Sequence, residues 1–376
     1  MFWLRREQSL LYYNEKVQDI FLSRWARLLT DYCLEVSPGE TILIQTNTLA
    51  EPLIRVLHNA ILFCDAFPVF RLGYPGQTMD FHQYARDIHL DTIPKSEIEQ
   101  MRHADAFLRI EADADLRGLE SIKPQNLMRH RKALSQLSAA RAGKRWCITL
   151  FPTEGYAKDA NMTLEQFERF VIGAMFLNLD DPWRGWLEIR AMQEQLIERI
   201  KGSKTIRLEA PGTDITLSVA GRTWRNSDGK RNMPSGEIFT SPIENSANGV
   251  VRFTVPSSFS GFTISGVELW FKDGKVIKAS AEEGNDYLQN ALEIDPGARF
   301  LGEIGIGTNY GISQATKNIL FDEKIGGTAH LAIGASYPEC GGINKSALHW
   351  DLILNLRTSG RITVDGTVFQ ENGKFI

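Results

Sequence analysis

Charge of one sign, paired cysteine and long apolar runs are all scarce in this chain. Its 42 lysines and arginines stand against 46 aspartates and glutamates, a formal net charge of −4, and no basic stripe runs along it. The electrostatic footprint of a nucleic-acid binder is missing, so neither DNA nor RNA is an expected partner. The four cysteines, Cys33, Cys64, Cys147 and Cys340, are scattered without CxxC spacing. They read as reduced thiols of a cytoplasmic protein rather than as a disulfide framework. No run of about 18 uncharged apolar residues occurs, so no membrane-spanning helix is expected. The aromatic N-terminus is broken by Arg5, Arg6, Glu7, Glu15 and Lys16 before it reaches the length of a signal-peptide core. Histidine is rare as well, with seven in 376 residues, which makes close spacing of two of them informative.

The length exceeds that of a typical single domain, and 43% apolar with 23% charged residues is an ordinary globular composition, so two domains are expected. Val17, Phe21, Trp25, Leu28, Leu29 and Tyr32 recur at three and four residues, which predicts an amphipathic helix ending before Pro38-Gly39. Thr41 to Gln45, Phe67 to Leu72, Ala106 to Ile110 and Arg145 to Leu150 read as strands. With helical stretches between them, such as Ala50 to Cys64, they predict a parallel sheet covered by helices. Arg129 to Lys144 is basic and reads as a solvated helix face. Met162 to Leu177 and Trp186 to Ile200 are periodic, and Thr163 with Gln166 fits a capping box. Asp180-Asp181 before Pro182 suits turn chemistry better than a catalytic dyad.

After Gly202 the texture changes to short β-rich runs: Thr205 to Leu208, Asp214 to Val219, Val250 to Val255, Gly266 to Phe271 and Lys275 to Ser280, with Asp273-Gly274 as a hairpin turn. The expected architecture is an α/β N-terminal domain with a parallel-type sheet over residues 1–200, and a β-rich α+β C-terminal domain over 201–376.

Candidate chemistry concentrates between Thr328 and Asp351. His330, Tyr337, His349 and Asp351 are all able to ligate a transition metal, and they are separated by small residues. His349 and Asp351 lie two apart in a run that reads as a strand, so they project to one side while Trp350, Leu352 and Leu354 face a core. Glu237 and Glu303 each sit among glycine and isoleucine. A buried carboxylate there needs a cation or hydrogen-bond donors as partner. Two histidines with three carboxylates form the donor mixture of dinuclear zinc, cobalt or manganese hydrolases. Cys340 lacks a basic neighbour in the sequence and reads as an inert small residue.

The ordered segments PSGEIFTSP, LGEIGIGTN, GTAHLAIGASYP, GGIN and SALHWDLI resemble the aminopeptidase T family of metallopeptidases, and the likeness extends over nearly the whole chain. The resemblance implies metal ligands at Glu237, Glu303, His330, Tyr337, His349 and Asp351, holding two divalent ions such as zinc, cobalt or manganese. It also implies removal of N-terminal residues from a peptide substrate, and a homodimer. In the implied chemistry Glu237 or Glu303 moves the proton to the leaving amine, and Tyr337 either ligates as phenolate or donates a hydrogen bond to the oxyanion. The segment between Tyr337 and His349 is 11 residues long, shorter than in better-known family members, and bears on substrate size. Residues before Val17 form an extension outside the resemblance, a docking arm or a start-site artefact. The alternative activity is that of a mononuclear iron ring-cleaving dioxygenase acting on dihydroxypyridines, with two histidines and an aspartate as its triad. Retention of both Glu237 and Glu303 favours the two-metal hydrolase, and the intact ligand set argues against a non-catalytic peptide-binding scaffold.

Overall fold

The computed structural model describes residues 20–115, 122–259 and 262–376, so the extension before Val17 lies outside the described residues. The chain divides into two compact units. The first holds the residues up to Lys158, Met162–Trp186 and Gly229–Met233; the second holds Asp159–Asn161, Leu187–Asp228 and Pro234–Ile376.

In the first unit the β-branched and apolar runs read from the sequence form strands β1 (Thr41–Asn47), β2 (Phe67–Gly73), β3 (Ala106–Glu111) and β4 (Arg145–Leu150). They pair in parallel in the order β2-β1-β3-β4, and the short strand Asn232–Met233 is added in parallel beside β4. Helices connect them, as parallel pairing requires. Glu51–Phe63 buries Leu53, Leu57 and Ile61, and Pro124–Arg141 carries the basic run. There Arg129 is tied to Asp87 and Asp91 at the surface. The helix Leu164–Ala174 opens with the Thr163/Gln166 capping box, both reciprocal bonds being present. Asp180 pairs with Arg24 and Asp181 with Arg184, so neither takes part in a carboxylate dyad.

The second unit is built on two large antiparallel sheets, with a two-stranded antiparallel ribbon of Ser257–Phe259 and Phe262–Ile264 as a third. An eight-stranded sheet runs in the order Lys275–Ser280, Glu268–Lys272, Asn248–Arg252, Thr213–Ser218, Thr205–Ala210, Arg361–Val364, Thr367–Glu371 and Lys374–Phe375. Asp273 and Gly274 both take positive φ, 49° and 78°, as a tight hairpin between its first two strands demands. The other sheet contains β5 (Glu237–Thr240), β6 (Leu301–Gly307), β7 (Thr328–Gly334) and β8 (His349–Asn355) in the order β8-β7-β6-β5, closed by Arg225–Ser227. One apolar cluster unites them. Ile206, Leu208, Ile215, Leu217 and Leu269 of the larger sheet pack with Ile238, Ile304, Ile306, Leu331, Ile333, Trp350, Leu352 and Leu354 of the smaller. Every second residue of the smaller sheet is thereby committed to the core. Its other face is left for chemistry.

Candidate metal centre

The register of the smaller sheet decides what that face presents. Gly307 pairs with Glu237, Gly305 with His330, and Glu303 with Ala332. Ala332 in turn pairs with Asp351 and Gly334 with His349. Because strand side chains alternate, these positions share one face. Glu237, Glu303, His330, His349 and Asp351 therefore rise together from four adjacent strands. Glycine opposite the histidine is a steric requirement: a Cβ on Gly305 would lie 2.0 Å from Cε1 and 2.1 Å from Nε2 of His330. Gly236 is required likewise, since it takes φ 120° and a Cβ there would meet Asn309 Cβ at 2.5 Å. Asn309 Nδ2 donates to the Ser235 carbonyl at 2.9 Å. This clasp joins the start of β5 to the end of β6 and sets Glu237 against Glu303.

The side chains form two groups that share one member. Glu237, Glu303 and His330 bring one ligand atom each within 4.8 Å of one another, and so do Glu303, His349 and Asp351. Glu303 spans both: its Oε1 is 3.5 Å from His330 Nε2 and its Oε2 is 3.3 Å from His349 Nε2. Glu237 Oε2 approaches His330 Nε2 at 3.3 Å, and Asp351 Oδ2 approaches His349 Nε2 at 3.7 Å. His349 Nδ1 lies 2.8 Å from the Ala335 carbonyl. Donation there makes Nδ1 a protonated nitrogen and turns Nε2 toward the carboxylates, where it donates when protonated and is free to ligate once that proton has left.

Electrostatics follow from burial and crowding. Glu237, Glu303, His330 and Asp351 are all buried, which disfavours each charged form. Burial, aided by the charge of Glu323, pushes Glu237 up to about 8. For Glu303, burial is outweighed by hydrogen bonds from His330 and His349, which hold it down at about 2. Burial alone would lower both histidines. The surrounding carboxylates overcome it and raise each to about 10, with Glu303 and Glu237 dominant for His330 and Asp351 and Glu303 for His349. Asp351 is raised by burial to about 6. Protons on the histidines thus act as the counter-charge that this acidic cluster demands.

The residues suit a pair of divalent ions. Glu237 Oε2 and Asp351 Oδ1 are buried and have no hydrogen-bond partner among the described residues. Orphaned buried acceptors are costly, and a cation supplies the missing partner. Carboxylate and imidazole donors together match borderline and hard divalent metals, and a carboxylate between two groups is suited to bridge two ions.

All six residues singled out from the sequence are brought together. Tyr337 stands at the edge, its Oη 3.3 Å from His349 Nε2, and burial followed by the nearby carboxylates drives its phenol well above the ordinary range. Ser241 Oγ accepts the Tyr337 backbone N–H at 3.0 Å, and Phe239 packs edge-on against the ring. Cys340 is buried, and burial pushes its thiol up to about 12, in keeping with an inert role. Two further residues of the site carry no local signal in the sequence. Gln193, fully buried, places its amide nitrogen 3.0 Å from the Glu237 carbonyl. Lys324 is fully buried with Nζ 4.0 Å from Glu237 Oε1. Gln193 looks like one polar residue of an amphipathic helix, and Lys324 like half of a surface Glu-Lys pair.

The sequence pattern of the thermophilic metalloprotease (M29) family matches residues 18–375. The chain is 28% identical over 392 residues to aminopeptidase 2 of Geobacillus stearothermophilus, covering 92% of this chain and 93% of that protein. It is 26% identical over 395 residues to aminopeptidase PepS of Streptococcus thermophilus, covering 92% and 94%. The solved structure of wild-type AmpT from Thermus thermophilus superposes with a TM-score of 0.82 over 95% of this chain and 99% of that one, at 21% identity, which establishes the shared fold.

Proposed function

The chain belongs to the thermophilic metalloprotease (M29) family, and from that premise we propose that it is an aminopeptidase removing N-terminal residues from peptides with two divalent ions. One observation carries the reading: Glu303 faces His330 with one oxygen and His349 with the other. Glu237, Glu303 and His330 would hold one ion, and Glu303, His349 and Asp351 the other. Ions held there would polarise a scissile carbonyl and lower the pKa of water to near neutrality.

The protein's own groups do the rest. Glu303, which faces His330 with one oxygen and His349 with the other, would serve both ions. Moving the proton toward the leaving amine falls to Glu237 or Glu303. Tyr337 acts as a protonated phenol beside His349 and donates to the oxygen on which charge develops. The core-facing alternation of β5 to β8 fixes all of these on rigid strands, so little reorganisation is needed during reaction. Zinc, cobalt or manganese as the ions, a homodimer and a cytoplasmic setting complete the reading, supported by the donor chemistry and the family resemblance. Among the described residues no helix is long and apolar enough to cross a membrane.

The test is metal content per chain by elemental analysis on protein purified without chelator, alongside amino-acid release from aminoacyl chromogenic substrates. Two ions and chelator-sensitive release are expected. One iron and no release would move the assignment to the ring-cleaving dioxygenase.

A further inference from the structure

A lysine with no exposed surface is unusual, because a buried ammonium must be paired and has no solvent to spread its charge. Lys324 is such a residue. Its backbone is pinned at both ends: its N–H donates to the Phe321 carbonyl at 3.0 Å, and its carbonyl accepts the Asn309 N–H at 3.0 Å. Asn309 follows the end of β6, the strand that carries Glu303. The lysine is thus located by the same clasp that sets Glu237 against Glu303. Its ammonium is ion-paired with Glu323 and lies 4.0 Å from Glu237 Oε1. The other oxygen, Glu237 Oε2, has no hydrogen-bond partner and points toward His330 at 3.3 Å.

The geometry points to Lys324 as a positioning residue of the metal centre, one that engages Oε1 of Glu237 from behind and so presents Oε2, alone, as the ligand atom beside His330. This rests on the dinuclear reading above. Simple charge balance explains the lysine poorly. Glu323 already neutralises it, and an ammonium beside a carboxylate ligand repels the dication that the carboxylate is there to hold. Electrostatics and positioning therefore predict opposite signs. If Lys324 only contributes charge, its removal strengthens metal binding. If it orients Glu237, removal frees the carboxylate to rotate, and binding weakens, as when outer partners of metal ligands are lost.

The experiment is a competition titration of cobalt between a chromophoric chelator and the full chain, for wild type, Lys324→Met and the double variant Lys324→Met/Glu323→Gln. The double variant removes both members of the ion pair, so Glu323 is not left without its ammonium partner, which guards against misfolding. Its chelated form should melt within a few degrees of chelated wild type. The expected result is a loss of about 10- to 100-fold in affinity for one of the two ions in both variants, the second ion being held as in wild type. Unchanged or tighter binding of both ions in the well-folded double variant would overturn the assignment. A wild-type protein that takes up only one ion would instead sink the dinuclear reading itself, and this inference with it.

Discussion

Gly305→Ala is the most incisive perturbation of the centre, because it removes no ligand and adds one methyl group. That methyl would start 2.0 Å from Cε1 and 2.1 Å from Nε2 of His330, whereas carbon contacts settle at about 3.5–4.0 Å. The imidazole must therefore retreat by more than about 1 Å. It cannot do so and remain a ligand, since metal–nitrogen bonds hold within about 0.2 Å of their ideal length. The backbone offers little relief, because β6 is bonded on both sides, to β5 and to β7. Overpacking of this kind costs about 1–3 kcal/mol. The variant should fold, melt several degrees lower, retain the ion of Glu303, His349 and Asp351, and bind the other at least about 100-fold more weakly, the upper end of what a displaced ligand partner costs. Elemental analysis after gel filtration, with a thermal melt and release of p-nitroaniline from aminoacyl substrates, checks each part. Adding His330→Ala should restore the lost stability without restoring the ion, a non-additive result expected only if methyl and ring collide. Two ions bound with wild-type affinity in Gly305→Ala would refute the register that places His330 over Gly305.

The shared role of Glu303 predicts an asymmetry: Glu303→Gln should lose both ions, while Asp351→Asn should keep about one, as read by elemental analysis. Equal losses in the two variants would argue against a bridging carboxylate. Tyr337→Phe should keep both ions and KM but lower kcat by about 100-fold, the scale of one lost oxyanion donor; loss of an ion would instead make the phenol a ligand. Stability should depend on pH in opposite ways with and without metal. Raised above their unfolded values of 6.5, the histidines contribute stability that is full below that pH and is lost as pH rises through about 10, and Glu237 contributes in the same sense between 4.5 and about 8. Glu303, depressed to about 2, contributes above 4.5 and loses that contribution only as pH falls through about 2. Chelated protein should therefore lose stability from pH 6 to 9 while metal competes better as protons leave, so the gap between metal-loaded and chelated melting temperatures should widen; a constant gap would count against metal at these residues.

How much of the centre could be read beforehand follows from which forces write themselves into local pattern. His349 and Asp351 were legible because Trp350, Leu352 and Leu354 alternate with them, and the same buried core that takes those three side chains must send the other two the opposite way. The parallel sheet was legible for the same kind of reason, strands and helices alternating at short intervals. Glu303 was harder. A regular strand would put Leu301 on the same face as Glu303, an apolar side chain among carboxylates, and no simple alternation resolves that. The structure resolves it with a register shift between Leu301 and Glu303, which returns Leu301 to the core. Gly302, where a Cβ would stand 2.0 Å from the Ala335 carbonyl, is the residue that permits it, and glycine inside a strand is the one local sign of such a bulge. Lys324 left no sign at all. Its burial is imposed by Asn309, 15 residues earlier, and by Glu237, 87 residues earlier, and neither a helical nor a strand period records a contact of that range. Ligands on alternating strands announce themselves through the core they avoid, whereas a charged group behind a ligand is hidden because only the folded chain brings its partners together.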